Sequence, residues 1–369
     1  MKARRAIGTV GLKLFVGGAL LVWIFHTIFL LEGRQTWERL GHSWETLPVG
    51  KQWAVAWSHG PQELWVTIRQ VHLGALLLSL LFMGMTIVLG MIRWRMVMRA
   101  QGLNLSGSRT AEISLVAHFF NSFLLGSTGG DLFKAYYAAR ETRHKKTEAV
   151  MTVLIDRLVG LFSMLLFACL MMVPNFDQLV GSRALGAPAL SVILMLGACA
   201  VLVGVSFWGG VSRRWPKGRE WLRRLPKGDI AERALDATRG LGQLPGLFAR
   251  LVGISMILNL FCVFQILALA SGLGIDLPVT VWLVIVPIIV CLSALPIAPS
   301  GLGVRENLYV MMLGATGAHV EPKAALSLSL LAFAGSLCWS VVGGFVYMGK
   351  RERERLFVLG EAGTFADGS

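Results

Sequence analysis

Six apolar stretches, residues 14–31, 72–92, 149–173, 189–210, 251–270 and 323–348, are each about as long as a helix must be to cross a bilayer. Roughly 20 apolar residues at about 1.5 Å rise span the ~30 Å hydrocarbon core. In lipid such runs satisfy their backbone polar groups only as helices. With 369 residues, 55% hydrophobic and 15% charged, and a mean hydropathy of +0.64, the chain carries more apolar surface than a soluble domain can hide. The expected fold is an all-α polytopic membrane protein, one domain over residues 1–355 with a short tail at 356–369.

The net charge of +14 would suggest nucleic acid on a soluble chain. Here the basic residues lie between apolar stretches, as in inner-face loops that meet anionic lipid. Membrane lipids are therefore the expected partners, and nucleic acid is not. The basic cluster Lys2, Arg4 and Arg5 precedes the first stretch, and Lys350, Arg351, Arg353 and Arg355 follow the last. Both termini are thus expected in the cytoplasm of a multi-pass protein of the cell inner (plasma) membrane. The segment 211–249 is strongly basic, and within it Asp229 is expected to cap an amphipathic helix from Ile230 to about Arg239. The stretch 32–71 balances Arg34, Arg39, Lys51 and Arg69 against Glu32, Glu38, Glu45 and Glu63. It also carries Trp37, Trp44, Trp53, Trp57 and Trp65. That composition predicts an outer-face loop lying at headgroup level.

Cys169, Cys199, Cys262, Cys291 and Cys338 sit singly in apolar runs, the pattern of small buried hydrophobes. His42, His59 and His72 are scattered without ligand spacing. No metal and no cofactor is expected.

Two interruptions do not fit plain spans. Residues 111–130 have basic clusters on both sides, so a full crossing would export one of them. A segment that dips in from the cytoplasm and returns resolves the conflict. Such irregular backbone is tolerated only where protein or water covers it. Residues 279–295 and 301–317 flank a second break at Pro296, Pro299, Gly301 and Gly303. That pair either spans completely, giving eight crossings, or forms a hairpin from the outside. Two opposed broken or re-entrant hairpins suggest an inverted repeat of the transporter kind.

The breaks carry charges: Asp131 and Lys134 after Gly129 and Gly130, then Asp156 and Arg157, and Arg305 with Glu306 after Gly301 and Gly303. A charge at the bilayer centre costs roughly 2.5–3.5 kcal/mol on insertion scales, so such residues face an interior and find partners. One reading is salt-bridged scaffolding. The other is a polar chamber in which Lys134, Arg157 and Arg305 attract a lipid phosphate. Asp131, Asp156 and Glu306 would then orient those cations, while the glycines let backbone N–H groups approach the same anion. Asn121, Asn259 and Gln265 are neutral members, more simply read as helix-to-helix hydrogen bonds.

Three motifs in order, NSFLLGSTGGDLFK (121–134), IDRLVGL (155–161) and PIAPSGLGVREN (296–307), resemble the lysylphosphatidylglycerol synthase transmembrane-region family, also called flippase-like or UPF0104. Lys134 stands where that family has Arg, a point charge in place of a planar fork. The resemblance implies an integral-membrane, lipid-handling module that moves a phosphate-bearing headgroup, anionic or polyprenyl-phosphate-linked, between leaflets. After Arg355 only LFVLGEAGTFADGS remains, so the aminoacyl-transfer activity of two-part relatives is not expected. The expected substrate-binding set is Asn121, Gly129, Gly130, Asp131, Lys134, Asp156, Arg157, Gly301, Gly303, Arg305 and Glu306, with no catalytic residue. The alternatives are a membrane transferase using Asp131, Asp156 or Glu306 as base, or a non-catalytic partner of a glycosyl- or aminoacyl-transferase.

Overall fold

A computed structural model describes residues 26, 29–30, 32–123, 129–142, 146–181, 183–207, 244–295, 304–316, 320 and 322–364. The described residues contain no strand. In chain order the helices are α1 (Val49–Gln70), α2 (Leu73–Ala100), α3 (Gly107–Phe123), α4 (Gly129–Glu141), α5 (Lys146–Met172), α6 (Phe176–Gly181), α7 (Arg183–Phe207), α8 (Pro245–Gly272), α9 (Val279–Ser293), α10 (Val304–Gly314) and α11 (Pro322–Thr364). Five helices among the described residues are long and apolar enough to cross a membrane: Leu73–Ala100, Lys146–Asn175, Ala184–Gly204, Gly246–Gly272 and Ala324–Gly349. They match five of the six expected spans. Nearly all of the sixth, 14–31, and the basic segment with its amphipathic helix lie outside the described residues.

The frame is the antiparallel pair α2 and α8. Val71 and Ala75 meet Gly272, Phe82 packs on Phe261 and Phe264, Gln265 Nε2 donates to Met83 Sδ at 3.5 Å, and Arg93 reaches Ser255. The far side of α2 exposes Leu73, Leu77, Leu81, Met85, Val88 and Ile92 at helical spacing, a face for acyl chains. Each helix ends on a glycine with positive φ, Gly102 (+69°) and Gly274 (+70°). The following N–H closes the last turn in each case, Leu103 onto the Met98 carbonyl at 3.0 Å and Ile275 onto the Ala270 carbonyl at 2.9 Å. The chain is thereby turned sharply into α3 at one end of the frame and into α9 at the other.

Both departures lead into short helices. At 17 and 13 residues, α3 and α4 are about 25 and 20 Å long; at 15 and 11, α9 and α10 are about 22 and 17 Å. None matches the ~30 Å core alone. α3 and α4 form an antiparallel hairpin: Arg109 pairs with Glu141 at its open end, while Phe120 stacks on Phe133 and Ala117 lies against Gly130 farther in. The chain thus enters and leaves at one end. The dip expected over 111–130 is only the inward arm; the return arm is α4, whose polar residues disguise it because their partners lie on other helices. α9 and α10 pack on each other after leaving from the opposite end of the frame. α9 buries Trp282, Val284 through Ile289 and Cys291, so it is enclosed by protein nearly all round.

Two further expectations are corrected. The segment 32–71 is not a loop: residues 32–39 are helical, and α1 follows. Gly33 abuts Ala56 and Phe29 lies against Gly60, so small residues bring the two helices together. Trp53, Trp57 and Trp65 stay exposed, whereas Trp44 is buried. The last helix does not stop at the basic cluster after Met348 but continues to Thr364, since Lys, Arg and Glu are good helix formers.

Candidate functional site

Charged side chains meet where α2, α4, α5 and α8 converge. Asp156 of α5 is the pivot: its Oδ1 accepts from Arg93 Nε at 2.8 Å and its Oδ2 from Lys134 Nζ at 3.2 Å. All three are nearly enclosed, with side-chain exposures of 12% for Arg93 and Lys134 and 8% for Asp156. Arg93 Nη1 also donates to Ser255 Oγ of α8 at 3.0 Å. Lys134 Nζ lies 4.3 Å from the ring centroid of Trp94, close enough for the ring face to stabilise the cation. Trp94 is itself held by its Nε1 donating to Thr152 Oγ1 at 3.2 Å.

Local sequence explains the placement. Gly160, one turn beyond Asp156, leaves the slot for Arg93: a Cβ there would sit 2.9 Å from Nη2. Asn121 at the end of α3 accepts the Gly130 N–H at 2.8 Å, capping the first turn of α4. Gly130 has no room for a side chain, since a Cβ would lie 1.9 Å from the Ala117 carbonyl oxygen. That glycine serves helix-to-helix approach, and Lys134 follows one turn later on α4. By helix rise, the cluster lies about 10 Å from the C-terminal end of α2 and about 15 Å from the start of α5. It is therefore off-centre, on the side of the open hairpin end. Among the described residues it formally holds two cations and one carboxylate, a surplus of one positive charge.

A second pair joins the same two helices: Arg157 Nε donates to Asp131 Oδ2. A separate cluster lies on α10 and α11. Arg305 Nη2 donates to Glu306 Oε1 at 2.7 Å and its Nε to Ser329 Oγ at 2.9 Å, while Ser329 Oγ donates to the same Glu306 oxygen at 3.1 Å. The guanidinium also lies 5.1 Å from the Phe333 ring centroid. In this cluster the guanidinium fork is engaged within the protein.

Of the expected residues, the structure brings Lys134 to Asp156, Arg157 to Asp131, and Arg305 to Glu306; Asn121 and Gly130 shape the hairpin, with Gly129 beginning α4. Gly301 and Gly303 lie outside the described residues. Asn259 donates within its own helix to the Ser255 carbonyl at 2.8 Å. Sequence reasoning missed Arg93, because it directly follows the apolar stretch 72–92 and, with Arg95 and Arg99, has the composition of a basic flank ending a span. The usable signal was the continuation of helix-forming residues through Ala100, which leaves Arg93 two turns inside its helix. Among the described residues, no three His, Cys, Asp or Glu side chains converge as metal ligands would.

A relative in Methanothermobacter thermautotrophicus, described as a UPF0104 membrane protein, is 21% identical over 317 residues, covering 80% of this chain and 92% of its own length. The family model described as the lysylphosphatidylglycerol synthase TM region matches residues 46–343, from α1 through the apolar part of α11 and including every polar cluster above. With five long apolar helices and that match over most of its length, the chain is a multi-pass membrane protein that belongs to the lysylphosphatidylglycerol synthase transmembrane-region family.

Proposed function

We propose that the protein moves a phosphate-bearing lipid headgroup between leaflets, with the α2–α4–α5 cluster as its binding point and the acyl tails left in the bilayer. The observation that carries this reading is the surplus cation: among the described residues, Arg93 and Lys134 share a single carboxylate in a nearly enclosed place between apolar helices. An anionic oxygen balances that charge, and Arg with Lys is a chemically apt pair for phosphate. The α3–α4 hairpin, leaving one end of the α2–α8 frame, brings Lys134 to this point without a full crossing. Both termini lie in the cytoplasm on this reading, and the protein resides in the cell inner membrane. It carries out no covalent step.

The test is reconstitution of the full chain into liposomes with head-labelled phosphatidylglycerol or a labelled polyprenyl-phosphate sugar. Transfer should exceed that of protein-free vesicles, and Lys134→Met should slow it about tenfold or more, the worth of one charge-assisted contact. If every lipid tried moves at the protein-free rate, the reading fails.

A second reading has its own support. Lys134, Arg157 and Arg305 each meet a carboxylate, as in a salt-bridged scaffold, and such a scaffold would serve a non-transporting partner that anchors a glycosyl- or aminoacyl-transferase through the basic segment 211–249. Co-purification of such an enzyme, with no lipid movement by the protein alone, would favour it. The membrane-transferase alternative needs Asp131, Asp156 or Glu306 to take a proton. Each of these carboxylates is instead engaged by a cation within the protein.

A further inference from the structure

The seam between α4 and α5 carries two crossed ion pairs. Asp131 and Lys134 lie one turn apart on α4; Asp156 and Arg157 are neighbours on α5. The inner pair, Lys134–Asp156, is enclosed. The outer pair is open, with side-chain exposures of 48% for Arg157 and 23% for Asp131. Its surroundings are apolar: Val150, Leu154 and Leu161 are exposed with Arg157 along one face of α5, and Leu132 and Tyr136 are exposed beside Asp131 on α4. Arg157 lies about 17 Å from the start of a span, so this face meets acyl chains. Charge on a lipid-facing surface is costly and is seldom placed there without use.

We propose that the Asp131–Arg157 pair is a lateral mouth, where the phosphate of a membrane lipid enters from the bilayer by displacing Asp131 from the Arg157 guanidinium. The tails stay along Leu154 and Leu161, and the phosphate then has Lys134 and Arg93 one layer farther in. This rests on the translocation reading and adds its entrance and its order of contacts. Asp131 holds the guanidinium when no lipid is present, beside a further contact that Arg157 makes within the protein. Carboxylate and phosphate compete for one guanidinium, so the two members of the pair have opposite effects on binding. A purely structural pair would not separate them.

The test uses the full chain in detergent and fluorescent phosphatidylglycerol as probe, with inorganic phosphate as competitor. Asp131→Asn should tighten lipid binding by about two- to five-fold, the worth of an exposed ion pair. Arg157→Gln should weaken it about tenfold, and Arg157→Lys should recover part of the loss, a point charge replacing a fork. Inorganic phosphate at millimolar concentration should not displace the lipid. Equal weakening by Asp131→Asn and Arg157→Gln overturns the proposal, as does phosphate binding as tightly as the lipid. Efficient cross-linking between copies through Leu132→Cys, in a background lacking the native cysteines, would put a second copy over this face and also overturn it. Liposome transport separates this outcome from that of the parent reading. Transport by the wild-type chain with same-sign variants sinks the mouth alone; opposite-sign binding without transport by any lipid sinks translocation alone.

Discussion

Asp156 holds two cations, and that asymmetry decides how each neighbour responds to substitution. Asp156→Asn removes the carboxylate bonded to both Arg93 and Lys134, and should cost about 3–5 kcal/mol, as breaking buried pairs does. The loss should appear as a large drop in the thermal midpoint of the purified protein. Lys134→Met behaves differently. It leaves Arg93 paired with Asp156 and places an apolar chain against Trp94, so stability should change by no more than about 1 kcal/mol. Lipid movement should nevertheless fall. A Lys134→Met protein that melts as early as Asp156→Asn would show that both cations are structural. Gly160→Ala belongs at this scale too: the added methyl meets the Arg93 guanidinium while that group is pinned to Asp156 and Ser255. Transport should decline with a stability cost of about 1–3 kcal/mol, the usual range for overpacking.

Among the elements, the α3–α4 hairpin does most to position the cluster, and its two arms touch at backbone distance. Gly130→Ala would drive a methyl into the Ala117 carbonyl, so the arms must part and Lys134 must leave Asp156. The expected result is a loss of about 2 kcal/mol or more together with loss of lipid movement. The hairpin is equally close to α11, where a Cβ on Gly343 would fall 2.2 Å from the Leu115 carbonyl. By contrast, Glu141→Gln at the open end should cost only about 0.5 kcal/mol, because its ion pair with Arg109 is partly solvated. Denaturation midpoints of the two variants measured side by side test that ordering.

At the scale of the molecule, the antiparallel α2–α8 frame sends the two short-helix pairs off from opposite ends. Single cysteines at Ser106 and Glu141, in a background lacking the five native ones, should react with a membrane-impermeant thiol reagent from the same side. A cysteine at Asp276, in the turn between α8 and α9, should react from the other side. Labelling of Ser106 and Glu141 from opposite sides would turn the hairpin into a crossing. The bundle would then need a different chain path, and the enclosed cluster would lose the arm that closes it.

The amino-acid sequence by itself determined the solvent, the helical class, five of the long spans among the described residues and the family, because each is written in local runs or short motifs. Hydropathy counts residues along the chain, and glycine with proline marks where a helix cannot continue. The tertiary structure alone decided which charges meet. Arg93 reads as a span flank until α2 is seen to continue to Ala100 and the α2–α8 register carries it to Ser255. Arg305 reads as a neighbour of Lys134 and Arg157 until Ser329 and Glu306 are seen to engage it in a separate cluster. Residues 32–71 read as a loop until Phe29 and Ala56 show what their helices pack against. Ion pairing depends on where separate helices cross, and a crossing is set by contacts between residues far apart in sequence, such as Ala117 with Gly130 or Gly160 with Arg93.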